Sequence, residues 1–171
     1  MKMFERLQAK KKDNKGFSLV ELIIVIAIMA ILVGVVGTQV VPYLNKSKYA
    51  KDQQILSAFA TAAVSAYSMK AGDCNGTGIV TISYFTGSYT AGSDEQIIRD
   101  AMVDLVGYTA TTGTNSGREK VAGVMSSAPG KAIETSNGDI VITMNFSAHT
   151  VEVKLTGHAD AGKVEKATAT L

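Results

Sequence analysis

From Phe17 to Val41 the chain runs for 25 residues with one ionisable side chain, Glu21, and from Leu22 to Gly37 it carries no charged or strongly polar side chain. As a helix this run is about 37 Å long, against about 30 Å of bilayer hydrocarbon, so it spans a membrane with tilt to spare. The charge around it is uneven. Residues 1 to 16 hold six cations (Lys2, Arg6, Lys10, Lys11, Lys12, Lys15) and two acids (Glu5, Asp13), a net +4, and the remainder carries a net −2. The pI of 8.6 is therefore a property of the leader, and the folded part offers no basic surface for nucleic acid. Six cations ahead of the span outnumber Lys46, Lys48 and Lys51 behind it. That bias predicts a single-pass protein with its leader in the cytoplasm and its body outside.

Glu21 is the anomaly. A charge at the centre of a bilayer costs about 2.5 to 3.5 kcal/mol on insertion scales, and less near the edge. Ser18-Leu19-Val20-Glu21 matches the S-x-x-E capping box, in which the glutamate satisfies backbone donors at a helix start. Capping and a functional role are compatible, and both remain open at the level of sequence.

A short basic leader ending in Gly16, followed by Phe17-Ser18-Leu19-Val20-Glu21 and a long apolar run, resembles the class III signal of type IV prepilins, clostridial pilins among them. The resemblance extends from Lys10 to about Gly37. It implies that a prepilin peptidase cuts between Gly16 and Phe17, removes residues 1–16 and methylates the Phe17 amine. It further implies an ATP-driven assembly platform and motor, and a homopolymer whose apolar helices form the filament core.

Elementary geometry agrees with that implication. Cleavage at Gly16 creates an amine at Phe17, four residues and about 6 Å along a helix from Glu21. A copy displaced by about one turn sets its amine against its neighbour's carboxylate, a pairing that rewards correct stagger more than it adds bulk stability. The rival is a conventional secretory signal cleaved after the small residues of Val35-Val36-Gly37, which makes Thr38 the mature N-terminus. Against it, the apolar run is long for such a signal, which has an apolar stretch of about 7 to 15 residues.

Gly34, Gly37 and Pro42 make residues 34–42 the weakest stretch of the helix, because each glycine costs about 1 kcal/mol relative to alanine and proline removes a donor. Close helix packing or a mild kink is the alternative reading. Many members of the family carry a proline where this chain has Thr38, a departure from the pattern.

Beyond Pro42, Tyr49, Leu56, Phe59, Ala63 and Tyr67 recur at helical spacing, widened by Ile55, Ala62 and Ala66, with Lys48, Lys51, Asp52 and Gln53 assigned to the polar face. This amphipathic helix, residues 42–71, stops at Ala71-Gly72-Asp73. Strands are expected at 79–85, 121–125, 139–146 and 150–155, with Ser147-Ala148-His149 closing a hairpin. Ser93-Asp94-Glu95-Gln96 opens a short helix that ends at Gly107. The fold class is α+β: a long N-terminal helix, half membrane and half amphipathic, on a small antiparallel sheet. The expected divisions are a leader at 1–16, a membrane segment at 17–41 and a body at 42–171, the body having a variable connection at 72–120 and its sheet at 121–171. The order is similar to the pilin fold, whose members commonly close the C-terminal region with a disulfide. Cys74 is the only cysteine, so strand pairing by residues 163–171 is the expected substitute.

No catalytic constellation emerges, and neither a cofactor nor a metal is expected. His149 and His158 read as surface residues, Asp73-Cys74-Asn75-Gly76 as a turn lacking the full calcium-loop frame, Cys74 as a buried inert thiol, and residues 109–118 as a solvent-facing polar loop. The expected function is that of a structural subunit, not an enzyme: a membrane-held precursor that becomes an extracellular pilus serving motility, adhesion and biofilm formation. The alternative is a pseudopilin of a type II secretion or competence DNA-uptake system, which shares the N-terminus. The body lacks the calcium loop that resemblance to major secretion pseudopilins implies.

Overall fold

The computed structural model describes residues 16–109, 117–134 and 138–171. The chain divides into two compact units, 1–42 and 43–171. Helix α1 (Leu19–Lys70) contributes to both, and Pro42 lies inside it. In the first unit every described residue is exposed. Its helix is continuous because alanine, leucine and isoleucine carry it past the glycines, but it has no amphipathic face in this unit.

The second unit is built on the rest of α1. Leu56, Phe59, Ala60, Ala62, Ala63 and Ala66 are buried, and Tyr49, Ile55 and Tyr67 pack partly buried beside them, as the helical spacing predicts. They cover one face of a four-stranded antiparallel sheet formed by β1 (Ile79–Ser83), β2 (Asp139–Asn145), β3 (Thr150–Thr156) and β4 (Ala167–Thr170), in that order. The architecture is the expected α+β arrangement, consistent with the pilin fold. The pleat sets the register: Ile82, Ile142 and Val153 stand in one row and Val80, Met144 and Val151 in the next, all buried, while Thr81, Thr143 and Glu152 alternate to the other face. Burying each such side chain contributes about 1.5 to 3 kcal/mol. Phe59 meets Tyr84 edge-on at 5.1 Å between ring centroids, and Tyr67 meets Phe146 at 4.9 Å, so aromatic contacts tie α1 to the sheet at two heights.

The β2–β3 hairpin turns through 146–149 as expected, with the Asn145 side chain accepting from the Ala148 N–H and His149 at a φ of 53°. Strand β4 pairs with β3, and Leu171 N–H donates to the His149 carbonyl, so the C-terminus is tied down by pairing where a disulfide is impossible. Helix α2 (Asp94–Val106) begins at the Ser93 cap, whose hydroxyl accepts from Gln96 N–H, and ends at Gly107, whose φ of 73° glycine adopts without a Cβ penalty.

Three expectations are corrected. Residues 121–125 are not a strand: Gly117–Val124 form helix α3, with Val121, Ala122 and Met125 buried at helical spacing. The sheet therefore does not start at 121; it takes β1 from the connection that precedes it and resumes at Asp139. Asp52 does not belong to the polar face; it is completely buried. Of the 109–118 loop, residues 110–116 lie outside the described residues, but Gly117 and Arg118 are buried, with the guanidinium 5.6 Å from the Phe85 ring. A short helix α4 (Ala128–Lys131), capped by Ser127, and a 3₁₀ turn at Ala132–Glu134 complete this segment.

Candidate assembly site

The start of α1 closes on itself. Ser18 N–H donates to Glu21 Oε2 at 2.9 Å, the glutamate half of a capping box, and Ser18 Oγ accepts from Val20 N–H at 3.3 Å. One carboxylate oxygen of Glu21 thus satisfies a helix-start donor, and the other has no partner among the described residues. Phe17 is 92% exposed, one residue ahead of the cap. Behind it Leu19, Val20, Leu22, Ile23, Ile24, Ile26 and their successors to Val41 are exposed all round the helix. Such a surface in water is far beyond the few hundred Å² of apolar patch that monomers carry. Among the described residues α1 is the one helix long and apolar enough to cross a membrane.

Gly34, Gly37 and Pro42 are all within the continuous helix. A Cβ built at either glycine meets nothing within 4 Å, so no contact inside the chain demands them. Pro42 cannot donate to the Thr38 carbonyl, and the Thr38 hydroxyl donates to the carbonyls of Gly34 (3.3 Å) and Val35 (3.1 Å).

Among the described residues the body gathers no comparable chemistry. His149 is exposed, and His158 is half-buried with Nδ1 accepting from Asp160 N–H. Among the described residues no group of three or more His, Cys, Asp or Glu is placed to hold a metal. Cys74 is half-buried, not fully buried as expected, and burial, followed by the nearby Asp94 and Asp73 carboxylates, pushes its thiol above the ordinary range, away from reactive thiolate. An open groove of about 690 Å³ is lined by Ile55 and Phe59 of α1 and by Leu105, Tyr108 and Val124, with Lys51 the one charged residue among the described residues that line it.

What sequence reasoning missed are three buried carboxylates that each hold successive backbone N–H groups of a distant loop. Asp52 accepts from Ser126 N–H (2.6 Å), Ser127 N–H (2.9 Å) and the Ser127 hydroxyl. Asp94 accepts from Asn75 (2.9 Å) and Gly76 (3.1 Å). Asp139 accepts from Phe85 (2.9 Å) and Thr86 (3.1 Å), and from the Thr86 hydroxyl. Gly130 packs so closely on the Asp52 carboxylate that a Cβ there would collide with it. The available signal for Asp52 was spacing, since 52, 56, 59 and 63 form one helical stripe.

The family described as prokaryotic N-terminal methylation motif matches residues 11–37. No curated protein and no solved structure matches the chain. The matched residues contain Gly16, Phe17, Glu21, Gly34 and Gly37 and stop short of the body. The motif is that of prepilins, substrates of a prepilin peptidase, and implies a structural subunit. Together with the long apolar helix and the α+β body, the match over these residues supports a type IV pilin-like, membrane-anchored precursor.

Proposed function

We propose that the chain is the structural subunit of an extracellular type IV pilus, cut between Gly16 and Phe17, methylated on the Phe17 amine, and polymerised through residues 17–41. One observation carries the reading: a methylation motif opens directly onto a helix that is apolar and exposed on every side, with a lone carboxylate four residues beyond the new amine. Lipid covers such a helix in the precursor; in a filament, the helices of other copies cover it. The free oxygen of Glu21 accepts a neighbour's Phe17 ammonium while the capping bond to Ser18 holds the carboxylate in place. A buried ion pair of this kind favours one stagger over others, because a misplaced copy leaves a charge uncompensated. The precursor then lies with its leader in the cytoplasm and its body outside, and the filament serves motility, adhesion or biofilm formation.

The test combines mass spectrometry and electron microscopy of material sheared from cells producing the chain. The mature protein is expected to begin at N-methylated Phe17 and to be the principal component of thin fibres. A mature N-terminus near Thr38 sinks the reading. Processed protein found only in the membrane, without fibres, favours a secretion or DNA-uptake pseudopilin.

A further inference from the structure

We propose that the membrane-proximal face of the body is a binding surface for anionic phospholipid headgroups, built from Lys46 on α1 and Lys163 on the β3–β4 connection, with Tyr43 beside them. Lys46 lies five positions beyond Val41, the last residue of the apolar run, and both belong to α1, so about 7.5 Å of helix axis separates Lys46 from the end of the hydrocarbon. With the run in the membrane, Lys46 has to reside in the headgroup zone or at its edge. Tyr43 is 72% exposed, with the Lys46 ammonium 5.9 Å from its ring centroid, the aromatic and cationic pairing that anchors a chain at a membrane interface.

The second element makes this more than a juxtamembrane lysine. Lys46, Tyr49, Ala50 and Gln53 of α1 line one concavity of about 610 Å³ together with Lys163 and Glu165. The 3₁₀ turn Ala161–Lys163 is the next element after β3, so the sheet side of the body presents an ammonium to the same space as the helix side. The concavity thus receives a cation from each of two elements, with Tyr49 and Gln53 as polar neighbours able to hydrogen-bond a phosphodiester. Lys163 rests on Asp160 at 2.7 Å, and both side chains are largely exposed. Exposed pairs of this kind are worth little, so exchanging the Asp160 carboxylate for a lipid phosphate carries a small penalty. Glu165 accepts from Gln53 Nε2 at 3.4 Å, which holds it within the concavity and sets a limit on the site's net charge. Lys48 and Lys51 add positive charge on the same two turns of α1, and no acid stands between Glu21 and the buried Asp52.

The test uses the full chain in vesicles, with lysine acylation by an N-hydroxysuccinimide ester read by mass spectrometry. In phosphatidylglycerol vesicles at low salt, Lys46 and Lys163 are expected to react about fivefold more slowly than in phosphatidylcholine vesicles, the worth of one lysine at an anionic surface, with the protection lost at high salt. Lys154, exposed on the outer face of the sheet, is expected to react equally in both. The Lys163→Ala variant is expected to reduce the protection of Lys46, because the two share a headgroup. Equal rates at Lys46 and Lys163 in both vesicles overturn the proposal. So does protection that appears in phosphatidylcholine with inorganic phosphate, which indicates a free-anion site, or protection that grows with protein density at fixed lipid, which indicates a second copy on this face. Protection of Lys154 equal to that of Lys46 overturns it as well, since the whole body would then be shielded without a preferred face.

Discussion

Asp52 shows how much one side chain organises. Its carboxylate, fully buried on α1, accepts two consecutive backbone donors and a hydroxyl from residues 126 and 127, and so fixes the α3–α4 segment against the long helix. Hydrogen bonds to a charged group each contribute about 1.5 to 3 kcal/mol, and orphaned donors add their desolvation cost. Asp52→Ala is expected to lose at least about 3 kcal/mol in urea unfolding. Asp52→Asn is expected to lose nearly as much, because its amide turns two hydrogens towards a wall of donors. Tyr84 acts at the same scale. Its hydroxyl donates to the Tyr108 carbonyl at 2.6 Å, and burial pushes the phenol well above its ordinary range. The folded state then keeps a proton that the unfolded chain gives up. The stability this brings is complete below about pH 10 and drains away as pH rises towards the folded value. Urea midpoints measured from pH 8 to 11 are expected to fall above about pH 10, less steeply in Tyr84→Phe. That variant is expected to begin about 1 to 2 kcal/mol lower, from the unpaired carbonyl. The Asp52 contact was partly legible in the sequence. The residue lies on the apolar stripe, yet its charge argued for solvent, and only the loop donors that meet it, 74 positions away, reverse that argument.

Among the elements, those dictated by local pattern were read correctly and those dictated by tertiary partners were not. The 3.6-residue stripe of α1, the Ser93 cap and Gly107 stop of α2, and the alternation in β2 and β3 each contain their own signal. Val121-Ala122-Gly123-Val124-Met125 is a short apolar run that suits a strand or a buried helix equally. Burial of 121, 122 and 125 on one helical face, and the Asp52 contacts at its exit, decide for helix. In the apolar part of α1 the weak stretch has an element-scale test. Two glycines at about 1 kcal/mol each and a missing donor at Pro42 are expected to make amides at 34–41 exchange with deuterium at least about tenfold faster than those at 22–30 in lipid micelles. Gly34→Ala with Gly37→Ala is expected to slow that exchange and leave the earlier turns unchanged. Equal exchange along the run would sink the assignment of weakness to these residues.

For the molecule as a whole, the motif at 11–37 and the free oxygen of Glu21 set the expectation for assembly. Glu21→Ala is expected to enter the membrane and to be cleaved at Gly16, yet to yield at least about tenfold fewer fibres, because the loss of a buried partner costs about 3 to 5 kcal/mol. Glu21→Gln keeps an oxygen for Ser18 and isolates the charge: if it restores fibre yield, capping rather than ion pairing is what assembly needs. The helix start and the membrane run were legible because each is local and chemically extreme. The body's cross-ties were much less so: Asp52 alone sits on a recognisable stripe, and Asp94 and Asp139 look like ordinary acids until the chain folds.

Those three carboxylates bridge α1 to 126–127, α2 to 75–76 and β2 to 85–86, long-range ties made without sulfur. A body secured in this way needs no oxidase and no electron acceptor to finish maturing. Its fibres should keep their strength in dithiothreitol, and they should form as readily without oxygen as with it.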